Sequence, residues 1–229
     1  MKKLPFLVSV PHAGLKLPKE VEPYFALTEQ QIIDDSDEGA AEVYAIETDV
    51  SAFVTTDVAR VIVDMNRSPT DRGPDGVVKT RTCSNVKVYH SALPEDMVGM
   101  LIDRYHSPYH RRLKELAPKA MFGVDCHTMA SVGPPLGPDP GCERPAVCLS
   151  NGRGTCPHER FNCLASCLEK AFGLEVSLNK PFKGGHIICS HSGELPWVQI
   201  EFSRGFSLPH TEKRARLLQA LQRFCDLVL

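Results

Sequence analysis

The chain has nine cysteines in 229 residues but no C-x-x-C pair. That disfavours a zinc ribbon and a thioredoxin-like redox motif. It also lacks a long apolar stretch. The run Phe6–Val10 is cut off by Pro11 and His12. It is too short for the hydrophobic region of a signal peptide, and no membrane span follows it. Charge of one sign is not in excess either. Lys and Arg number 26 against 28 Asp and Glu, a formal charge of -2. Nothing therefore points to nucleic acid or to an anionic membrane surface. There is no internal repeat and no linker that divides the chain. These absences lead to the expectation of a soluble, cytoplasmic protein. Its odd number of cysteines are mostly reduced and serve as small buried hydrophobes.

What is present supports a packed core, with 42% hydrophobic and 24% charged residues. The length fits one large α/β domain spanning 1–229. Phe6–Val10, 52–54, 59–63, 120–124, 146–150, 175–178 and 196–202 read as strands. Thr28 followed by Gln31 resembles a capping box. The acidic run Asp34-Asp35-Ser36-Asp37-Glu38 reads as the first turn of a helix through Ile46, where the macrodipole favours carboxylates. Helices are also expected over 94–116, 157–172 and 212–229. Strands alternate with helices, so a mixed, mostly parallel sheet covered by helices on both faces is expected. The loops 70–85 and 132–140 are long and rich in Gly and Pro, as functional loops often are.

Polar residues gather just beyond the apolar runs. His12 follows β-type sequence and a Pro11 turn, and Asp125 and His127 follow another such run. Ligands bind at that edge of an open α/β sheet. Arg60, Asn66 and Arg67 lie within or after a third run. Glu201 interrupts Val198-Gln199-Ile200-Glu201-Phe202, where period 2 puts it with Gln199 on one face. A solvated strand face would explain Glu201 equally well. Two histidines with a carboxylate are the donor set of a hydrolytic zinc site, a further carboxylate can shuttle a proton, and an arginine can hold an oxyanion. A bidentate fork such as Arg67 suits a substrate carboxylate.

The segments Ser9-Val10-Pro11-His12-Ala13-Gly14, Arg60 to Arg67, Tyr105-His106-Ser107-Pro108-Tyr109-His110, Asp125-Cys126-His127-Thr128-Met129, Gly184-Gly185-His186 and Gln199-Ile200-Glu201 occur in this order. Taken together they resemble the N-formylglutamate amidohydrolase family. The resemblance implies one α/β domain of the zinc-carboxypeptidase and aspartoacylase kind (a phosphorylase/hydrolase-like architecture) with one zinc ion. It implies His12 and His127 as metal ligands and Glu201 as general base and acid. It implies Arg60 as the group that polarises the scissile carbonyl, and Asn66 with Arg67 as the grip on the substrate carboxylate. The carboxypeptidase pattern has a Glu three residues after the first His, where this chain has Leu15. The third ligand then falls to the acidic run, where Asp37 matches best, with Asp35 and Glu38 as alternatives. Asp125 suits a partner behind a ligand imidazole. Pro108 lies between His106 and His110 and works against a regular i, i+4 metal pair. His186 and His191 flank the Gly-rich loop.

The function expected is hydrolysis of the amide of a small N-acyl amino acid. A deacylase or carboxypeptidase-like activity on a peptide or cell-wall fragment would keep the site and change the loops. A non-catalytic metal-dependent binding protein would not need the Glu201 proton shuttle. A cysteine-rich metal-storage or redox protein would show reactive native thiols.

Overall fold

The first apolar run forms strand β1, Leu4–Val10, and pairs in parallel with β2, Val50–Thr55, on one side and β3, Phe122–Met129, on the other. The computed structural model describes residues 3–229. Strand β6, Trp197–Ser203, runs parallel to β3, while β4, Val147–Ser150, is antiparallel to β6 and carries the short β5, Ser177–Leu178, at the edge. The sheet order is β2-β1-β3-β6-β4-β5, so the mixed, mostly parallel sheet is as expected.

Alternation along each strand divides the interior into two cores. Phe6, Val8, Val124, Val198, Ile200 and Phe202 face one side. There they meet α5, His158–Phe172, and α7, His210–Val228, which pack against each other and bring in Leu164, Leu168, Leu217, Leu221 and Phe224. Leu7, Ala52, Val54 and Trp197 face the other side, against Ile62, Met65, Leu113 and Ile187. Each large apolar side chain so buried contributes about 1.5–3 kcal/mol. The second face is covered by α3, Glu95–Leu101, and α4, Ser107–Leu116, and by α6, His186–His191. A wide π-type turn, Ile102–His106, joins α3 to α4. Pro108 just beyond it has no N–H for the preceding turn, and the wider turn accommodates that loss.

Two expectations need correction. The capping box is present, with Thr28 accepting from the Gln31 N–H and Gln31 accepting from the Thr28 N–H. It starts α1, Glu29–Asp35, before the acidic run, so that run ends a helix instead of opening one. The next helix, α2, is only Ala40–Val43 and begins after Gly39 at φ 79°. The carboxylates there answer to particular cations and histidines, described below, and not to a helix dipole. The apolar stretch 59–63 is not a strand. It coils into a turn in which the Ile62 and Val63 N–H groups both donate to Ala59 O. A run buried on all sides has no periodicity to tell a strand from a turn of helix. The turn puts Arg60 and Asp64, four residues apart, in contact at 3.1 Å.

Strands β1 and β3 lie where the chain changes direction across the sheet, since β1 leads to β2 on one side and β3 lies on the other. A crevice opens beyond the carboxyl ends of such a pair. His12 follows β1 there, and His127 sits near the end of β3. Among the described residues, no helix is long and apolar enough to cross a membrane.

Gly123 pairs with Trp197 across β3 and β6. A Cβ added there would stand 2.1 Å from the indole Cδ2. Gly123→Ala should therefore lower stability by about 1–3 kcal/mol or more by overpacking, read as a lower urea midpoint with an unchanged m-value.

Candidate metal and catalytic site

The sheet register aligns the polar groups. Ser9 lies opposite Asp125, Asp125 opposite Gln199, and His127 opposite Glu201. One row of the sheet thus carries Ser9, Asp125 and Gln199, and the next row on the same face carries His127 and Glu201. Glu201 and Gln199 are buried, so a solvated strand face does not account for them.

Asp125 is held from behind by Ser9 Oγ, which donates to Oδ1 at 2.8 Å and itself contacts the Tyr109 hydroxyl at 2.8 Å. Its Oδ2 lies 2.8 Å from His127 Nε2. Asp64 Oδ1 lies 2.8 Å from His12 Nε2, and it also accepts from the Asn66 N–H. A carboxylate accepts, so both imidazoles carry a proton on Nε2 and turn Nδ1 toward each other. The two Nδ1 atoms lie 3.2 Å apart. Asp37 Oδ2 is 2.9 Å from His127 Nδ1 and 3.4 Å from His12 Nδ1. The Thr128 N–H donates to the same oxygen at 3.2 Å.

Among the four candidate acids only Asp37 reaches the histidines. Asp34 accepts from Gln30 at the surface, Asp35 turns to Lys79 and the Cys83 N–H, and Glu38 leans toward Arg204. Asp37 is placed by its own N–H, which donates to His12 O at 3.2 Å.

Three buried donors facing one another require positive charge between them. Burial opposes charge on His127, but Asp125 and Asp37 outweigh it and lift the imidazole well above its usual range. Burial would raise Asp37, yet His12 and His127 hold it well below the carboxylate range. A position that calls so strongly for a cation fits a metal ion. Two imidazole nitrogens and one carboxylate oxygen are an apt donor set for it, and these three atoms lie within 4.8 Å of one another.

Burial pushes Glu201 up to about 7, His127 and Arg60 restrain it, and Asp37 adds to the rise. Gln199 holds its orientation, with Nε2 donating to Glu201 Oε1 at 2.7 Å while Oε1 accepts from the Gly185 N–H at 2.8 Å. Arg60 bridges Asp64 at 3.1 Å and Asp37 at 3.4 Å. Arg67 donates from Nε to Asp75 O and from Nη2 to Asp75 Oδ2 at 2.6 Å. Asn66 is committed to the framework. Its Nδ2 donates to Asp125 Oδ2 at 3.1 Å and its Oδ1 accepts from the Ile187 N–H at 2.8 Å. These groups line a cavity of about 440 Å³ that also takes in Arg144, Lys183 and Arg204. Arg144 is bound at both ends of its fork by Asp139 and lies over the Phe182 ring.

The model of the N-formylglutamate amidohydrolase family matches residues 4–207. The chain belongs to that family. It is thus an enzyme, a hydrolase. An N-formylglutamate deformylase of Pseudomonas putida is 25% identical, with 92% of this chain and 84% of that protein covered. One from Pseudomonas aeruginosa is 28% identical, with 88% and 81% covered. The N-formylglutamate amidohydrolase of Ralstonia eutropha JMP134 superposes with a TM-score of 0.81 at 18% identity, over 100% of this chain and 95% of that one. A protein of Agrobacterium tumefaciens gives 0.80 at 17% identity, over 99% and 92%. These two likenesses speak for the fold.

Several residues of the site escaped sequence reading. Asp64 lies between Arg60 and Arg67, but only the turn at 59–63 reveals that it meets His12. Gln199 shares a period-2 face with Glu201, which was its signal. Tyr44, whose hydroxyl donates to His127 O at 2.7 Å, left none. Nor did the chain Arg67–Asp75–Lys79–Asp35, in which Lys79 is fully buried between Asp75 at 2.6 Å and Asp35 at 3.0 Å.

Lys79→Met would leave Asp35 and Asp75 facing an apolar group. Breaking a buried pair in this way costs about 3–5 kcal/mol. The expected outcome is a matching fall in urea-unfolding free energy, partly recovered in the double variant Lys79→Met with Asp35→Asn.

Proposed function

We propose that this chain hydrolyses the formyl amide of N-formylglutamate at His12, Asp37, His127 and Glu201, with a zinc ion held by the first three. The observation that supports this most directly is the convergence of two Nδ1 atoms and the Asp37 carboxylate beside the row that carries Glu201. Family membership over residues 4–207 and the names of the Pseudomonas relatives supply the substrate class.

A divalent ion at this donor set acidifies water and polarises an amide carbonyl. Glu201 takes a proton from the attacking water as oxygen adds to the formyl carbon. It then gives that proton to the nitrogen as the C–N bond breaks, so formate and the free amine of glutamate result. Arg60 donates to the oxygen that becomes negative during the addition. Gln199 keeps Glu201 in one orientation. Arg67 takes a substrate carboxylate, and Asn66, tied to Asp125 and the Ile187 N–H, fixes the backbone from which Arg67 projects. Asp64 and Asp125 keep both imidazoles in the tautomer that binds metal.

Glu201→Gln should retain as much zinc as the wild type by elemental analysis and lower kcat by about 10²–10⁴-fold, the usual contribution of a general base. An unchanged kcat would remove Glu201 from the reaction. Full activity after complete chelation would remove the metal.

Glu201 must be ionised to accept a proton, so kcat/KM should rise with pH along an acid limb. Burial places that limb near or above the carboxylate range, up to about 7, and a bound dication moves it lower. A pH–rate profile from pH 4 to 9 checks this, and the limb should vanish in Glu201→Gln.

A further inference from the structure

The carbonyls on either side of Asn66 both end on histidines. His110 Nε2 donates to Met65 O at 2.8 Å, and His106 Nε2 donates to Arg67 O at 2.9 Å. A carbonyl can only accept, so each contact fixes the proton on Nε2 and leaves Nδ1 bare. His191 sits beside this pair. Its Nδ1 lies 3.3 Å from the Glu194 carboxylate, and its Nε2 lies 2.9 Å from the bare Nδ1 of His110. His186 completes the group. Ser190 Oγ gives its proton to His186 O at 2.6 Å and can then only accept from the His186 ring, 3.1 Å away.

The four rings cluster closely. Centroids of His106 and His110 are 4.3 Å apart, those of His110 and His186 5.2 Å, and those of His110 and His191 5.2 Å. One donor nitrogen from each of His106, His110 and His186 lies within 4.8 Å of the others. Pro108 does not separate the first pair as a broken helix would, because the π-type turn at Ile102–His106 brings the rings face to face.

Without a metal, a proton on His191 Nε2 bridges to His110 Nδ1; with a metal, both nitrogens are free to turn to the ion. Burial and the neighbouring rings keep these imidazoles neutral, pushing His110 down to about 3 and His186 to about 4. Neutral imidazole is the form that binds metal. His106 and His110 each have a carbonyl on the far nitrogen, His191 has the Glu194 carboxylate beside Nδ1, and Ser190 Oγ lies 3.1 Å from both ring nitrogens of His186. Metal-binding histidines are oriented by such partners.

We propose that His106, His110, His186 and His191 form a second divalent transition-metal site, separate from His12, Asp37 and His127. An all-imidazole set without a carboxylate donor selects zinc, copper, nickel or cobalt over magnesium or calcium. The ion would tie α4 and α6 to the Met65–Arg67 segment. That segment also reaches the first site, through Asp125, by way of the Asn66 amide. The second site is thus a positioning device for the segment, and it stands on its own geometry whatever the substrate.

The test is a Zn2+ titration of the metal-stripped full-length chain, with stoichiometry by calorimetry and elemental analysis, and Co2+ as a spectroscopic probe. Two equivalents are expected for the wild type and none of Mg2+. His186→Asn, at a half-exposed position, and His106→Gln should each weaken one equivalent by about tenfold or more and leave the other intact. His12→Ala should do the reverse. A single equivalent in the wild type, removed by His12→Ala, would overturn the proposal and assign a shared proton to His110 and His191. Two equivalents that neither His186→Asn nor His191→Gln disturbs would overturn it as well.

Discussion

Asp64 and Asp125 each hold the Nε2 proton of one histidine, and the geometry at the strand ends depends on that. With Nε2 engaged, His12 and His127 have only Nδ1 left to offer, and both Nδ1 atoms face Asp37. Neither aspartate is free to drift. Asp125 is pinned by Ser9 and Asn66, and Asp64 by Arg60 and the Asn66 N–H. Asn66 therefore serves both aspartates at once, through its side chain and its backbone. The sheet supplies the distances. Parallel pairing of β1 with β3 and of β3 with β6 puts Ser9, Asp125 and Gln199 in one row, so a polar layer lies across an otherwise apolar face.

Part of this layout is legible in the residues. Strand-end histidines, the Gln199–Glu201 alternation and the order of the motifs were enough to gather His12, His127, Arg60, Arg67 and Glu201 around one cavity. The helical and strand character of long periodic segments was legible too, as in α5 and α7. What lay out of sight depended on contacts between distant residues. The acidic run looks like a helix start because first-turn carboxylates are common there. Instead Asp35 and Asp37 turn in opposite directions, one to Lys79 and one to the histidines, and local sequence carries no sign of either partner. Apart from Arg60 the 59–63 run is apolar, and it shows no period that tells its coil from a strand. Only that coil explains how Asp64 reaches His12.

The cavity wall is a chain of alternating charge. Asp35, Lys79, Asp75 and Arg67 follow one another with contacts of 3.0, 2.6 and 2.6 Å. Such a chain lets several ionised groups stay buried because each is neutralised by its neighbours. It also runs from the end of α1 to the segment beside Asn66, so the loop 70–85 is anchored from within. Gly185 matters on the opposite wall. A Cβ there would stand 2.3 Å from the Asn66 amide, so glycine lets the 184–187 turn close over Asn66 and bring its N–H to Gln199.

Arg67 already holds a carboxylate. Asp75 occupies two of its donors, one through a backbone oxygen and one through the side chain. Three of the five N–H donors of the guanidinium are left over, so an arriving anion would share the group with an internal guest. The resident fixes the plane of the fork, and with it the direction from which a second carboxylate can be met.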